Sequence, residues 1–245
     1  MTILPKLEPI MALFLDFDGT LAELAPRPED VRVSPEMISA LGRVQSQLSG
    51  AVAVVSGRPI EQIDRFLSPL HLPAAGLHGL EHRLVPNAGI ERDQPSPDIA
   101  ALKNLLNTSD LVKRGAFIED KGPAVAVHYR SVPELEADVL ATMSEAVKAL
   151  PALHLVHGKM VVEAKPFTSD KGFAVRTFMK NGTFAGRLPV FVGDDVTDED
   201  GIAAAQELGG IGIKVGEGDT CARHRLENVA AVNEWLAAFE LVSES

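Results

Sequence analysis

Acidic side chains stand at two places in this 245-residue chain where their spacing could do chemistry. Asp16 and Asp18 fall at the end of an apolar run over residues 10–17, and Asp194 and Asp195 follow another over 188–192 after Gly193. In open parallel sheets, ligands bind outside the carboxyl ends of the strands. Two carboxylate clusters delivered to that edge repel one another unless a cation lies between them. A hard divalent ion with oxygen ligands, Mg²⁺, suits that position. The segment Asp16-Phe17-Asp18-Gly19-Thr20 adds a carboxylate nucleophile, a second acid two residues on, and a glycine that lets the backbone approach phosphate. An aspartate-rich turn would explain one Asp-Gly pair, but not two acidic clusters on one edge.

The elements that must position these residues read as an alternation of strands and helices. Residues 10–17 are almost continuously apolar, as in a strand buried on both faces of a parallel sheet. Ser34-Pro35-Glu36 reads as a capped helix start, with Met37, Leu41, Val44 and Leu48 on one face. Residues 51–55 form a second strand that leads into Ser56-Gly57-Arg58-Pro59 and a helix over 60–67. A short strand over 74–77 ends at His78-Gly79. From residue 93 the texture changes: a linker over 94–98, a helix over 99–112, strands at 115–118 and 124–129, a helix over 133–150, and a hairpin of 153–156 with 160–164 turning at Gly158. That order predicts a small α+β module inserted into an α/β domain. Alternation resumes with a helix starting near Lys171, a strand over 188–192, a helix from Thr197, a strand over 211–214 and a final helix over 230–239.

The first acidic segment resembles the opening motif of the haloacid dehalogenase superfamily of phosphohydrolases. Ser56 after the second strand, Lys171 at a helix start and Gly193-Asp194-Asp195-Val196-Thr197-Asp198 after a later strand follow in that superfamily's order. The resemblance implies a Rossmann-like parallel-sheet α/β hydrolase core (1–92 and 168–245) with an inserted small α+β cap domain (93–167). It also implies that Asp16 attacks phosphorus, while Asp18 protonates the leaving oxygen and then deprotonates a water. Thr20, Ser56 and Lys171 would donate to phosphoryl oxygens. Mg²⁺ would be held by Asp16, the Asp18 carbonyl and Asp194, with Asp195 and Asp198 both candidates for ordering its surroundings.

Further stretches narrow the resemblance to the trehalose-6-phosphate phosphatase family. They are Pro26-Arg27-Pro28-Glu29, Val55-Ser56-Gly57-Arg58-Pro59, Gly76-Leu77-His78-Gly79-Leu80-Glu81, His128-Tyr129-Arg130, Gly158-Lys159-Met160-Val161-Val162-Glu163 and the run to Glu199. A phosphorylated disaccharide is the substrate this implies, with trehalose and phosphate as products. Carboxylates and ammonium groups suit sugar hydroxyls through charge-assisted hydrogen bonds, so Lys159 and Glu163 lead the expected sugar contacts. Each candidate also has a plainer reading. Glu163 alternates with apolar neighbours like the solvent face of a strand, and Lys159 sits in a turn. His128 and Arg130 flank Tyr129 at a strand end, where packing or plain exposure serves as well. Arg58 either meets phosphate or holds its loop, and His78 and Glu81 stand near a hinge.

Composition sets the outer bounds. Hydrophobic residues make up 46% and charged residues 23%, the balance of a globular chain, and the net charge of −11 disfavours nucleic acid or an anionic membrane surface. No run approaches the roughly 18 apolar residues of a membrane span. No signal-like start is evident, so a cytoplasmic monomer is the expectation. Cys221 stands alone, without an internal disulfide partner, and the seven histidines lack metal-ligand spacing. Other sugar phosphatases of the superfamily, acting on sucrose phosphate, a mannosyl-phosphoglycerate or a hexose phosphate, are the nearest alternatives. A phospho-accepting receiver module is a more distant one: it needs no general base, and Asp18 supplies one.

Overall fold

The computed structural model describes residues 5–25, 27, 30–92, 94, 96–158, 160–166 and 170–239. The chain divides into two compact units, Met1–Glu91 with Asp170–Ser245, and Arg92–Ser169.

The first unit is built on β1 (Met11–Leu15), whose five residues are all buried, as a continuous apolar run requires. β1 pairs in parallel on one side with β2 (Val52–Val55) and on the other with β10 (Leu188–Gly193). Outward from β2 come β3 (Ala74–Gly76), then antiparallel β4 (Glu81–Arg83), then β5 (Glu91–Arg92). Outward from β10 come β11 (Ile211–Val215) and β12 (His224–Leu226), both parallel. Strand order therefore reverses between β1 and β10, and a ligand crevice forms at such a switch point. α1 (Pro35–Gln47) packs with α8 (Val229–Ala237), and α6 (Lys171–Phe178) packs with α7 (Asp198–Glu207). α2 (Ile60–Leu67) follows β2. Ser34 caps α1 by accepting the Met37 N–H at 3.1 Å, and the helix buries Met37, Ala40, Leu41 and Val44. Phe14 of β1 meets Phe184 at 5.5 Å and Phe178 of α6 at 5.8 Å, ring centre to ring centre. All three are fully buried, and truncating one to alanine would cost about 3–5 kcal/mol.

The second unit has a four-stranded antiparallel sheet in the order β6 (Phe117–Asp120), β7 (Val125–His128), β9 (Val161–Pro166), β8 (Leu153–Gly158). Val125, Val127, Val162 and Ala164 bury one face against Ile99, Leu102 and Leu106 of α3 (Pro97–Thr108) and Val139 and Met143 of α5 (Glu136–Lys148). By the twofold alternation of strands, Glu119, His128 and Glu163 belong to the other face.

Several expectations are corrected. The helix expected over 99–112 is two helices, α3 and α4 (Asp110–Lys113), parted at Ser109 in extended conformation. The Thr108 and Ser109 hydroxyls bond back to carbonyls of residues 104–106 and end the helix there. Of the expected linker, Ser96 is instead the cap of α3 and Pro97 its first residue. β4, β5 and β12 were not anticipated. No helix among the described residues is long and apolar enough to cross a membrane.

Candidate active site

Because β1 and β10 are parallel neighbours in register, their carboxyl ends deliver Asp16 and Asp194 side by side. Asp198, the first residue of α7, joins them, and one carboxylate oxygen from each of the three lies within 4.8 Å of the others. Asp16 and Asp198 are buried and Asp194 is partly so. Burial pushes the Asp16 carboxyl up to about 6 despite Lys171. Burial, then the nearby Asp198 and Asp195, pushes Asp194 to about 6. Burial, then Asp16, pushes Asp198 to about 8. Carboxyl groups that keep protons this far above their ordinary range have, even with Lys171 beside them, too little positive charge for all three to ionise, and a cation in their midst would supply it. Three convergent carboxylate oxygens fit a hard divalent ion such as Mg²⁺. Gly19 makes room for them: its φ is +74°, and a Cβ there would stand 2.1 Å from Asp194 Oδ2.

Hydrogen bonds distinguish the remaining acids. Asp198 Oδ2 accepts the backbone N–H of Asp194 and of Asp195, each at 3.0 Å, and its Oδ1 accepts Lys171 Nζ at 2.7 Å. Asp195 Oδ1 accepts from Thr197 N–H at 2.8 Å, Thr197 Oγ1 at 2.7 Å and Asp198 N–H at 3.1 Å. The Asp195 side chain thus folds the start of α7, while Asp198 stands in the acidic group. Burial would raise the Asp195 carboxyl, but Lys171 and the Thr197 hydrogen bonds hold it below its usual range.

Lys171, the first residue of α6, also donates to Asp16 Oδ1 at 2.8 Å. Burial works against its charge, yet Asp16 and Asp198 outweigh it and keep the ammonium above its usual pKa. These two bonds use two of its three protons, leaving one donor. The Thr20 hydroxyl is fully buried and unpartnered among the described residues, an orphan that a phosphoryl oxygen would satisfy. Ser56 is buried after β2, where its Oγ accepts the Arg58 N–H at 3.2 Å. Asp18 is turned to Arg58, which donates from Nε at 2.6 Å and Nη2 at 2.7 Å to the two carboxylate oxygens. The guanidinium carbon lies 5.5 Å from the Phe17 ring centre and 5.2 Å from that of Phe66.

Other candidates occupy different places. His78, at φ 57°, donates its N–H to the Ser56 carbonyl at 3.0 Å, and its ring fills the space over Gly57. Glu81 is buried, and its Oε2 accepts the Ile60 N–H at 2.9 Å; it caps α2, where Pro59 offers no side-chain acceptor. In the second unit Glu163 Oε2 accepts Lys121 Nζ at 2.7 Å, and His128 Nε2 lies 2.9 Å from Glu119 Oε2. Arg130 is exposed just beyond β7. Lys159 lies outside the described residues, as do Pro26, Pro28 and Glu29. Residues that sequence reasoning missed are Lys121, Glu119 and Lys214. Lys214 donates to the Asp194 carbonyl, and a lysine within an otherwise apolar strand is the available signal.

Three comparisons bear on this constellation. Residues 14–232 match the family model described as trehalose-phosphatase. The chain is 39% identical over 237 residues to the trehalose-6-phosphate phosphatase of Escherichia coli K12, covering 96% of this chain and 89% of the relative. The solved structure of the Aspergillus fumigatus trehalose-6-phosphate phosphatase matches with a TM-score of 0.70 at 24% identity, over 93% of this chain and 91% of that one. A haloacid dehalogenase-like hydrolase from B. subtilis shares the fold, with a TM-score of 0.67 at 16% identity over 93% and 99% of the two chains.

Proposed function

Since the chain belongs to the trehalose-phosphatase family and shares the fold of a haloacid dehalogenase-like hydrolase, we propose that it hydrolyses trehalose 6-phosphate to trehalose and phosphate through a phosphorylated Asp16, with Mg²⁺ as its cofactor. The observation that carries this reading is the meeting of Asp16, Asp194 and Asp198 around one point, with Lys171 bound to two of them.

Asp16, Asp194 and the Asp18 backbone carbonyl would hold the metal, and Asp198 orients the loop that carries Asp194. When bound, Mg²⁺ offsets the negative charge that gathers between the Asp16 carboxylate and the phosphoryl oxygens. The other Asp16 oxygen attacks phosphorus as the bond from phosphorus to the sugar oxygen breaks. Asp18 gives its proton to that departing oxygen. Its carboxylate then takes a proton from the water that attacks the acyl phosphate, which releases phosphate and restores Asp16. One residue serves both halves because its state after the first is the one the second needs. The spare Lys171 proton, the Thr20 hydroxyl and Ser56 donate to the phosphoryl oxygens, and such fixed donors supply much of the rate in phosphoryl transfer. The polar face of the second unit's sheet, with Glu163 and His128, would bind the disaccharide together with Arg130 and Lys159.

Phosphate release from trehalose 6-phosphate, sucrose 6-phosphate and glucose 6-phosphate tests the substrate, with Asp16→Asn as the mechanistic control. Trehalose 6-phosphate should be strongly preferred, and the variant should stay folded yet lose on the order of 10⁴-fold or more in kcat. Preference for a monosaccharide phosphate would overturn the substrate, and an active Asp16→Asn variant would overturn the mechanism.

A further inference from the structure

Lys214 is the next-to-last residue of β11 and is only 4% exposed, so its ammonium has been withdrawn from water at a cost that an ordinary surface lysine does not bear. The register of β10 with β11 sets it opposite Gly193, the residue before Asp194. Its ammonium donates to the backbone carbonyl of Asp194. Asp194 is therefore held at three points. Its N–H is bound by Asp198, its carboxylate lies against the bare Cα of Gly19, and its carbonyl is bound by Lys214. The first of these contacts is internal to the loop and the second only allows room. Lys214 reaches the loop from the neighbouring strand.

We propose that Lys214 is the positioning residue for Asp194: by fixing the peptide that follows Asp194, it keeps that carboxylate turned toward Asp16 and Asp198, and so sets how tightly a divalent cation binds. The proposal rests on the Mg²⁺ reading above. It differs in sign from a role through charge alone. Removing a positive charge from beside three acids strengthens the binding of a cation, whereas removing an anchor that aims one ligand weakens it.

The test is calorimetric titration of Mg²⁺ into the metal-free full chain, as wild type, Lys214→Met and Lys214→Gln, with thermal melts to establish folding. The Met variant keeps the aliphatic volume without a donor; the Gln variant restores a donor without charge. The Met variant should bind Mg²⁺ about 10- to 100-fold more weakly, with the Gln variant between it and wild type. Turnover of the Met variant should approach wild type as Mg²⁺ is raised. Equal or tighter binding by folded Met variant overturns the positioning role. If that variant does not fold, the Gln variant decides by the same comparison with wild type. A wild-type chain that takes up no Mg²⁺ overturns the metal reading and the positioning role with it, an outcome separable from a variant that merely matches a wild type that binds.

Discussion

One guanidinium holds both oxygens of Asp18: Arg58 Nε reaches one at 2.6 Å and Nη2 the other at 2.7 Å, across 40 residues of sequence. A two-point grip fixes the direction of the carboxylate as well as its place. Arg58 is itself steadied by the Phe17 and Phe66 rings and by a 3.2 Å bond from Nη1 to Gln62 Oε1. If Asp18 is to hand a proton to a leaving sugar oxygen, it must first release one of these two bonds, because an oxygen that accepts from a guanidinium carries no proton; until then the pair sets where the carboxylate stands, from the loop that follows the adjacent strand. Arg58→Ala should therefore lower kcat/KM for trehalose 6-phosphate on the order of 10²-fold more than for p-nitrophenyl phosphate, whose phenolate departs without a proton. Arg58→Lys should restore little, because one ammonium cannot span both oxygens. Equal losses with both esters would show instead that Arg58 acts on the phosphoryl group.

Acidity and metal binding are linked through the same carboxyl groups. Without metal, Asp16 and Asp194 titrate near 6 and Asp198 near 8, above the ordinary carboxylate value of about 4 that they take when unfolded. The folded chain then binds more protons than the unfolded one through that interval. Its stability from these groups is complete below about pH 4 and is lost as pH rises through 6 to 8. Asp195, held low, has the opposite sign and is lost only on acidification below that interval. Mg²⁺ requires the deprotonated forms, so its stabilising effect grows with pH. Melts in EDTA and in saturating Mg²⁺ should give an increment in Tm that is larger near pH 8 than near pH 5. An increment that shrinks as pH rises would contradict the linkage.

The parts of this molecule legible in its sequence are those whose signal is local. β1 and β10 announce themselves as apolar runs ending in acids, and Ser34-Pro35 marks the start of α1. β4, β5 and β12 are two or three residues long and polar, too short to show a period, and only their place in the sheet makes them strands. The Arg58–Asp18 pair depends on β1 and β2 lying side by side, which spacing in the chain does not encode. Glu81 reads as an available carboxylate because nothing nearby reveals that Pro59 leaves the head of α2 uncapped. Asp195 and Asp198 look equivalent in sequence. They separate only when the turn into α7 gives one to Thr197 and the other to Lys171.

Glu163 and Lys121 form an ion pair at 2.7 Å on the face of the second unit's sheet opposite its helices. A charged hydrogen bond donated by a sugar hydroxyl to the Glu163 carboxylate would be worth roughly 1.5–3 kcal/mol, about 10- to 100-fold in binding. Glu163→Gln should raise KM for trehalose 6-phosphate by about tenfold or more, leave kcat nearly unchanged, and leave p-nitrophenyl phosphate hydrolysis untouched. A fall in kcat with both esters would assign Glu163 to the fold or the chemistry rather than to the sugar.

Gly19 offers the sharpest separation of site from fold. Its φ of +74° disfavours any side chain, and an alanine Cβ would fall 2.1 Å from Asp194 Oδ2 and 2.2 Å from Asp194 Cγ. Something must move, and the carboxylate of Asp194 is what stands in the way. Asp194's own backbone is tied by Asp198 and Lys214, so the side chain turns away from Asp16 while the strand ends stay paired. Gly19→Ala should melt within a few degrees of wild type in EDTA, since a left-handed alanine costs about 1–2 kcal/mol. It should nonetheless lose most of the Tm increment that Mg²⁺ confers, together with phosphatase activity. A variant with its Mg²⁺ increment intact would mean that Asp194 does not face the metal, and the cluster of three carboxylates would then need another explanation.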